Sequence, residues 1–184
     1  AGWSPASAKG LDLDVRKLSA IEALSRHGRA SPRHLQSITL EPNRWPTAAV
    51  IDWLRILQRL DIGPERGARL QEAMTLLRSR LTWGGTTLKF STEETDFWWW
   101  LMDSADANAA RLILAVVDDP AWKDEVPRMV LGALGRQQRA AWLTTTANLW
   151  GVLALDRFAA RFENQPVTGR TVATLGPATA AHEW

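Results

Sequence analysis

A capping residue, then alanine, then an apolar run occurs three times in this chain of 184 residues. Thr47-Ala48-Ala49 opens VIDWLRIL, Asp106-Ala107-Asn108 opens AARLILAVV, and Thr146-Ala147-Asn148 opens LWGVLAL. Thr and Asp are favoured at the start of a helix because a side-chain oxygen there accepts from an otherwise unpaired backbone N–H. Aligned on the capping residue, alanine comes next in all three. The fourth position on is Ile51, Ala110 and Trp150, and the seventh is Leu54, Ile113 and Leu153. Positions one, four and seven lie on one helical face. The anchors are 59 and 40 residues apart, room for one further helix in each interval and an insertion in the longer one. This spacing predicts repeated helical hairpins, the pattern of stacked or ring-like α architectures.

The third of these runs, WLTTTANLWGVLALDRF at 142–158, has few polar positions after its threonines. A helix apolar nearly all round is expected inside the molecule with other helices outside it. Trp150 and Ile51 are therefore expected to be buried on inner helices, and Arg69 and Arg136, on the intervening ones, to face solvent.

The intervals fill in as follows. Residues 13–27 read as an amphipathic helix with Val15, Leu18, Ile21, Ala23 and Leu24 inward, Asp14 as cap and Gly28 as stop. Ser31-Pro32 opens a short helix through Ile38. The helix from Thr47 runs to about Leu60. Pro64 starts an outer helix to about Leu81, with a stripe of Leu70, Ala73, Met74, Leu77 and Leu81. Gly84-Gly85 is a turn signal, the β-prone residues 86–90 follow it, and Phe97-Trp98-Trp99-Trp100-Leu101 is taken as the partner strand of a hairpin; the alternative for the segment is one helical turn, since Ser91 and Glu94 match a capping box. Residues 104–117 form the second inner helix. Residues 122–138 form the next outer one, with Val126, Met129, Val130, Ala133 and Leu134 inward and Gly132 and Gly135 allowing close backbone approach. The third inner helix runs to about Phe162, and residues 167–175 are strand-like.

Chemistry is sparse. The absence of cysteine removes disulfides, thiolate metal sites and a thiol nucleophile from this chain. His27, His34 and His182 form no ligand spacing and read as surface or cap residues. Asp118-Asp119 and Glu93-Glu94 resemble acid/base pairs for glycan chemistry, but each sits at a helix end or turn, where carboxylates cap and solvate. Ser19, Ser25 and Thr145 have no His–acid arrangement, and Gly84-Gly85 lacks the flanks of a phosphate loop. Trp98 and Trp100 fall on one face if the segment is a strand, with Trp99 on the other; packing against the adjoining helices is favoured over an open sugar-binding platform. The formal net charge is +2, and 18 Arg against 4 Lys form no basic block, so nucleic acid is not an expected partner. No apolar run approaches the ~20 residues that span a bilayer.

The motif TTTANLWGVLAL, following LGALGRQQ and a tryptophan, together with the tryptophan-rich segment leading into SADANAARLILA, resembles the thioester-domain region of bacterial alpha-2-macroglobulin-like proteins. The resemblance covers about 13–162. It implies an α/α toroid followed by a β domain, in a large periplasmic or cell-envelope protein that traps proteases after a bait region is cut. Many members attach the protease through a Cys–Gln thioester. A chain without cysteine cannot do so, which places the motif upstream of Ala1 or marks a thioester-free member. No functional residue of the family carries over onto this sequence.

The resulting expectation is an all-α helical-hairpin array, a partial α/α toroid, with a short β-hairpin insertion and a strand-like C-terminal tail. Residues 1–162 are assigned to the toroid fragment and 163–184 to the start of a following β domain. The expected role is a non-catalytic piece of a protease-trapping endopeptidase inhibitor, with proteases (through the whole protein) and neighbouring domains of the same chain as partners. No catalytic, cofactor-binding or metal residue is assigned. The alternatives are a toroidal carbohydrate-active enzyme or sugar-binding module, and a helical-repeat interaction scaffold.

Overall fold

The most deeply buried element is the helix α3 (Thr47–Arg59). Every residue from Thr47 to Leu54 is buried, Asp52 included. In the computed structural model, which describes residues 9–91, 98–163 and 168–184, the other elements are arranged around it. In chain order they are α1 (Lys9–Arg26), α2 (Pro32–Leu35), α3, α4 (Arg66–Ser79), β1 (Leu81–Gly84), β2 (Thr87–Phe90), α5 (Ala105–Val116), α6 (Glu125–Leu134), α7 (Thr145–Phe158), β3 (Arg170–Leu175) and β4 (Ala178–Glu183). The described chain is thus mostly helical, with two small antiparallel hairpins.

Neighbours follow a simple rule. Helix α1 packs on α3, α3 on α5 and α5 on α7, while α4 backs α3 and α6 backs α5. Helices α1, α3, α5 and α7 form one layer, and α4 and α6 form the second. The core runs between the layers through Leu18, Trp53, Leu57, Leu77, Leu112, Trp122 and Val126. The β1–β2 hairpin lies against α6.

The capping motif is real but displaced. Ser104 and Thr144 are the N-caps of α5 and α7, and each side-chain oxygen accepts from the backbone N–H of the alanine three residues on, Ala107 and Ala147, at 3.2 Å. The caps precede the expected ones by two residues, and the 40-residue spacing is kept. Helix α3 has Pro46 in the cap position with no side-chain bond. Matching caps sets Ala49, not Ala48, opposite Ala107 and Ala147.

Helix α7 is not the inner helix its composition suggests. Only Ala147, Gly151 and Ala154 are buried, a narrow stripe of small residues against α5. Leu149 is 59% exposed, Val152 64% and Leu153 46%, because among the described residues no helix backs α7 as α4 backs α3. Trp150 is half-buried, whereas Ile51 is fully buried. Arg136 does not face solvent; its Nε lies 2.6 Å from Asp106 with most of its side chain covered. Arg69 is partly covered and pairs with Glu65 at 3.1 Å.

Other boundaries shift as well. Helix α1 begins four residues before Leu13, so Asp14 is inside it and accepts from the Thr39 N–H. Ala23 and Leu24 are exposed, as is Leu134 on α6. The short helix stops at Leu35, with the Ser31 N–H donating to His34 Nδ1. The β-prone run does pair, but with residues 81–84 rather than 97–101: Leu81 faces Phe90 and Gly84 faces Thr87. Gly85, at φ +64°, makes the tight turn. Trp99–Leu101 is a single 3-10 turn, and Glu93, Glu94 and Phe97 lie outside the described residues. The strand-like tail is a hairpin, β3 with β4, in which every residue is exposed.

Two glycines are dictated by contacts. A Cβ on Gly132 would lie 2.3 Å from the Leu88 carbonyl oxygen, so the hairpin rests on the α6 backbone there. One on Gly151 would lie 2.2 Å from the Trp142 ring. Trp142 is buried and donates through Nε1 to the Ala133 carbonyl at 2.9 Å, so its ring locks the start of α7 to α6. Gly151→Ala is expected to cost ~1–3 kcal/mol by overpacking against that ring. Gly67→Ala, where a Cβ meets nothing within 4 Å, is expected to be neutral or to gain up to ~1 kcal/mol of helix propensity. Urea denaturation of the two variants checks both signs.

Candidate functional site

Among the described residues, those singled out for chemistry do not come together. His27 is exposed, His34 serves the short-helix cap, and His182 sits on the second hairpin against Trp184. Asp119 accepts from the Ala121 N–H, and Asp118 pairs with Arg157 at 2.8 Å. Ser25 donates to the Glu22 carbonyl oxygen, and Thr145 is an exposed first residue of α7. Among the described residues no group of three or more His, Asp or Glu is placed to hold a metal ion.

Trp98 and Trp100 do share a side, although not on a strand. Their rings are 5.0 Å apart and tilted by 37°. Trp98 packs on the core, and the Trp100 Nε1–H donates to Asp12 Oδ1 at 2.8 Å. Asp12 Oδ2 accepts from Arg16 Nε at 2.8 Å. The Arg16 hydrogen bond is the main cause holding the Asp12 carboxyl below its ordinary range, with burial opposing it and Trp100 adding to it. These tryptophans seat the 98–101 turn on α1.

The polar side chains that do converge lie along the α1–α3–α5–α7 layer. Glu22 is buried on α1 and is held by two arginines: Arg26, one turn on, at 2.5 Å, and Arg59 from α3 at 2.8 Å. Burial pushes its carboxyl up, but the hydrogen bonds and charges of Arg26 and Arg59 outweigh that and leave it below the usual glutamate value. Asp52, facing α1 from the middle of α3, accepts from Ser19 Oγ at 2.8 Å and pairs with Arg111 of α5. Arg111 also reaches Asp103 at 3.7 Å. Burial weakens the Arg111 cation, and Asp52 and Asp103 more than restore it.

Two further links tie α3 to α5. Gln58 Nε2 donates to the Ala115 carbonyl at 2.8 Å and Arg55 Nη1 to the Leu114 carbonyl at 3.3 Å. Stripes from all four helices, Glu22 and Arg26, Ile51 and Arg55, Arg111 and Leu114, Trp150 and Leu153, border a cleft of about 330 Å³. The Trp150 ring carries the guanidinium of Arg26 at 4.9 Å and that of Arg111 at 5.9 Å. A second cleft of about 240 Å³ lies beyond Arg111 and includes Ser19 and Asp52. Neither cleft has a histidine in its wall, so the Ser19 hydroxyl donates to a carboxylate with no imidazole beside it. The chemistry available is cationic recognition beside an aromatic ring.

Sequence reasoning missed this cleft, since its residues are spread from position 22 to 157. The available signal was the excess of arginine over lysine, since arginine offers five donors in a planar fork suited to buried carboxylates and carbonyls. Comparison with protein-family models, with curated proteins and with solved structures gives no match.

Glu22 makes stability depend on acid. Its folded-state pKa lies below its ordinary value of 4.5, so the unfolded chain binds the proton more readily. Its contribution is complete above that value and is lost as pH falls through the folded pKa. Stability followed by denaturant unfolding between pH 6 and pH 3 is expected to fall below about 4.5. In Glu22→Gln that fall is shallower, and stability at pH 6 is already lower.

Proposed function

We propose that this chain is the helical part of an alpha-2-macroglobulin-like protease-trapping protein and works as a non-catalytic structural module. The observation that carries the reading is the two-layer array, in which α5 and α7 open on the same capped Ala-Asn motif and pack side by side. In this reading the array is a segment of an α/α toroid. The wholly exposed β3–β4 hairpin begins the β domain that follows it, and the parent protein works in the periplasm or cell envelope. A two-stranded hairpin is marginal by itself in water, so neighbouring strands of the parent would cover it.

A non-catalytic role fits the side chains. The buried carboxylates Glu22 and Asp52 are committed to arginines, and Trp98 and Trp100 are engaged with the core and Asp12 rather than offering an open sugar platform. Among the described residues no helix is long and apolar enough to cross a membrane.

Incubating the whole parent protein with an active protease tests the reading. The expected outcome is cleavage of the parent, with the protease then comigrating with it in gel filtration. The 184-residue chain alone should gain no protease adduct by intact mass and should hydrolyse no substrate in a glycan panel. Cleavage without retention of the protease would count against the trap, and turnover of a glycan would replace it with an enzyme.

A further inference from the structure

The cleft of about 330 Å³ has on its wall one arginine, Arg55, that no carboxylate among the described residues pairs with. Of the five arginines on its wall, Arg26 and Arg59 share Glu22, Arg111 has Asp52 and Asp103, and Arg157 has Asp118. Arg55 has no carboxylate within ion-pair distance among the described residues. Its Nη1 is held by Gln58 Oε1 at 3.2 Å and the Leu114 carbonyl at 3.3 Å. These bonds fix the plane of the guanidinium and leave Nε and Nη2 without an acceptor among the described residues.

The setting makes that cation costly. Burial, then the charge of Arg59, then those of Arg26 and Arg111 work against the Arg55 cation, and Glu22 offsets them only in part. A partly buried guanidinium with an open edge is the arrangement that binds an oxyanion through parallel N–H···O bonds. Beside it the wall turns apolar: Ile51, Leu114, Leu153 and the Trp150 ring. Asp156 stands on the same wall, exposed and without an ion-pair partner among the described residues. It would repel a second negative charge, which favours a monoanion over a phosphate dianion.

We propose that this cleft is a binding site for a monocarboxylate with an aromatic or aliphatic body, the carboxylate seated on Arg55 and the body against Trp150, Leu114 and Leu153. The carboxylate can belong to a free small acid or to the C-terminus of a peptide ending in an apolar residue. The two share one recognition chemistry.

Benzoate is the probe for the free acid, acetyl-Leu-Phe for the peptide terminus, and benzamide and acetyl-Leu-Phe-amide are their uncharged counterparts. The readout is the indole N–H resonance of Trp150 in 1H–15N spectra, assigned by its loss in Trp150→Phe. A saturable shift with at least one carboxylate and with neither amide is expected, and the tighter of the two acids identifies the source. Arg55→Gln should weaken binding tenfold or more, and Asp156→Asn should tighten it several-fold. The proposal is overturned by no saturation with either acid at tens of millimolar, by an equal response to acid and amide, or by an Asp156→Asn variant that binds no better than wild type. That last variant sits on the exposed surface and remains informative if Arg55→Gln fails to fold.

Discussion

A helix buried on every side can carry a charge only where the charge is matched. Asp52 is the one acidic residue in the buried stretch of α3, and it is matched twice, by the Ser19 hydroxyl on α1 and by Arg111 on α5. An isolated carboxylate in that position would be driven to protonate. The partners must therefore stay in place, and in doing so they fix how α1 and α5 sit against α3. Apolar packing among leucines and alanines tolerates sliding, whereas a hydrogen-bonded ion pair has one register.

Arginine repeats this role along the layer. Arg59 ties α3 to α1 through Glu22, Arg136, two residues past the end of α6, pairs with Asp106 of α5, and Arg66 satisfies the Leu57 and Gln58 carbonyls at the end of α3. Arg80 holds the Trp45 carbonyl at the entrance to α3. A lysine supplies one point charge where Arg66 and Arg80 each use two nitrogens of a fork. The same preference leaves five arginines on the wall of the cleft.

The parts of the fold that were readable from sequence were those set locally. The stripes on α4 and α6, the stop at Gly28, the turn at Gly85 and the 40-residue recurrence of Ala-Asn all follow from short-range chemistry. What failed required knowing the neighbours. Apolar content marked α7 as interior, but burial depends on what lies opposite, and Leu149, Val152 and Leu153 face outward. Residues 87–90 pair with 81–84, before the turn, and not with the expected 97–101, since a tight turn at Gly85 joins the two segments that flank it directly. Arg139 and Ala140 both hold positive φ in a tight turn bracketed by the Gln138–Ala141 bridge, although neither residue announces one. The cleft was invisible because its wall takes one stripe from each of four helices far apart in the chain.

The claim that matched buried charge sets the helical layer is tested most directly by a double-mutant cycle on Asp52 and Arg111, using Asp52→Asn, Arg111→Met and the pair, with stability read from chemical denaturation. Breaking one half of a buried ion pair typically costs ~3–5 kcal/mol because the other half is left uncompensated. The account predicts large single losses and a double variant well short of their sum, with a coupling of about 1.5–3 kcal/mol. Single losses that add to within about 0.5 kcal/mol would contradict it, and would mean that the layer is held by apolar packing alone.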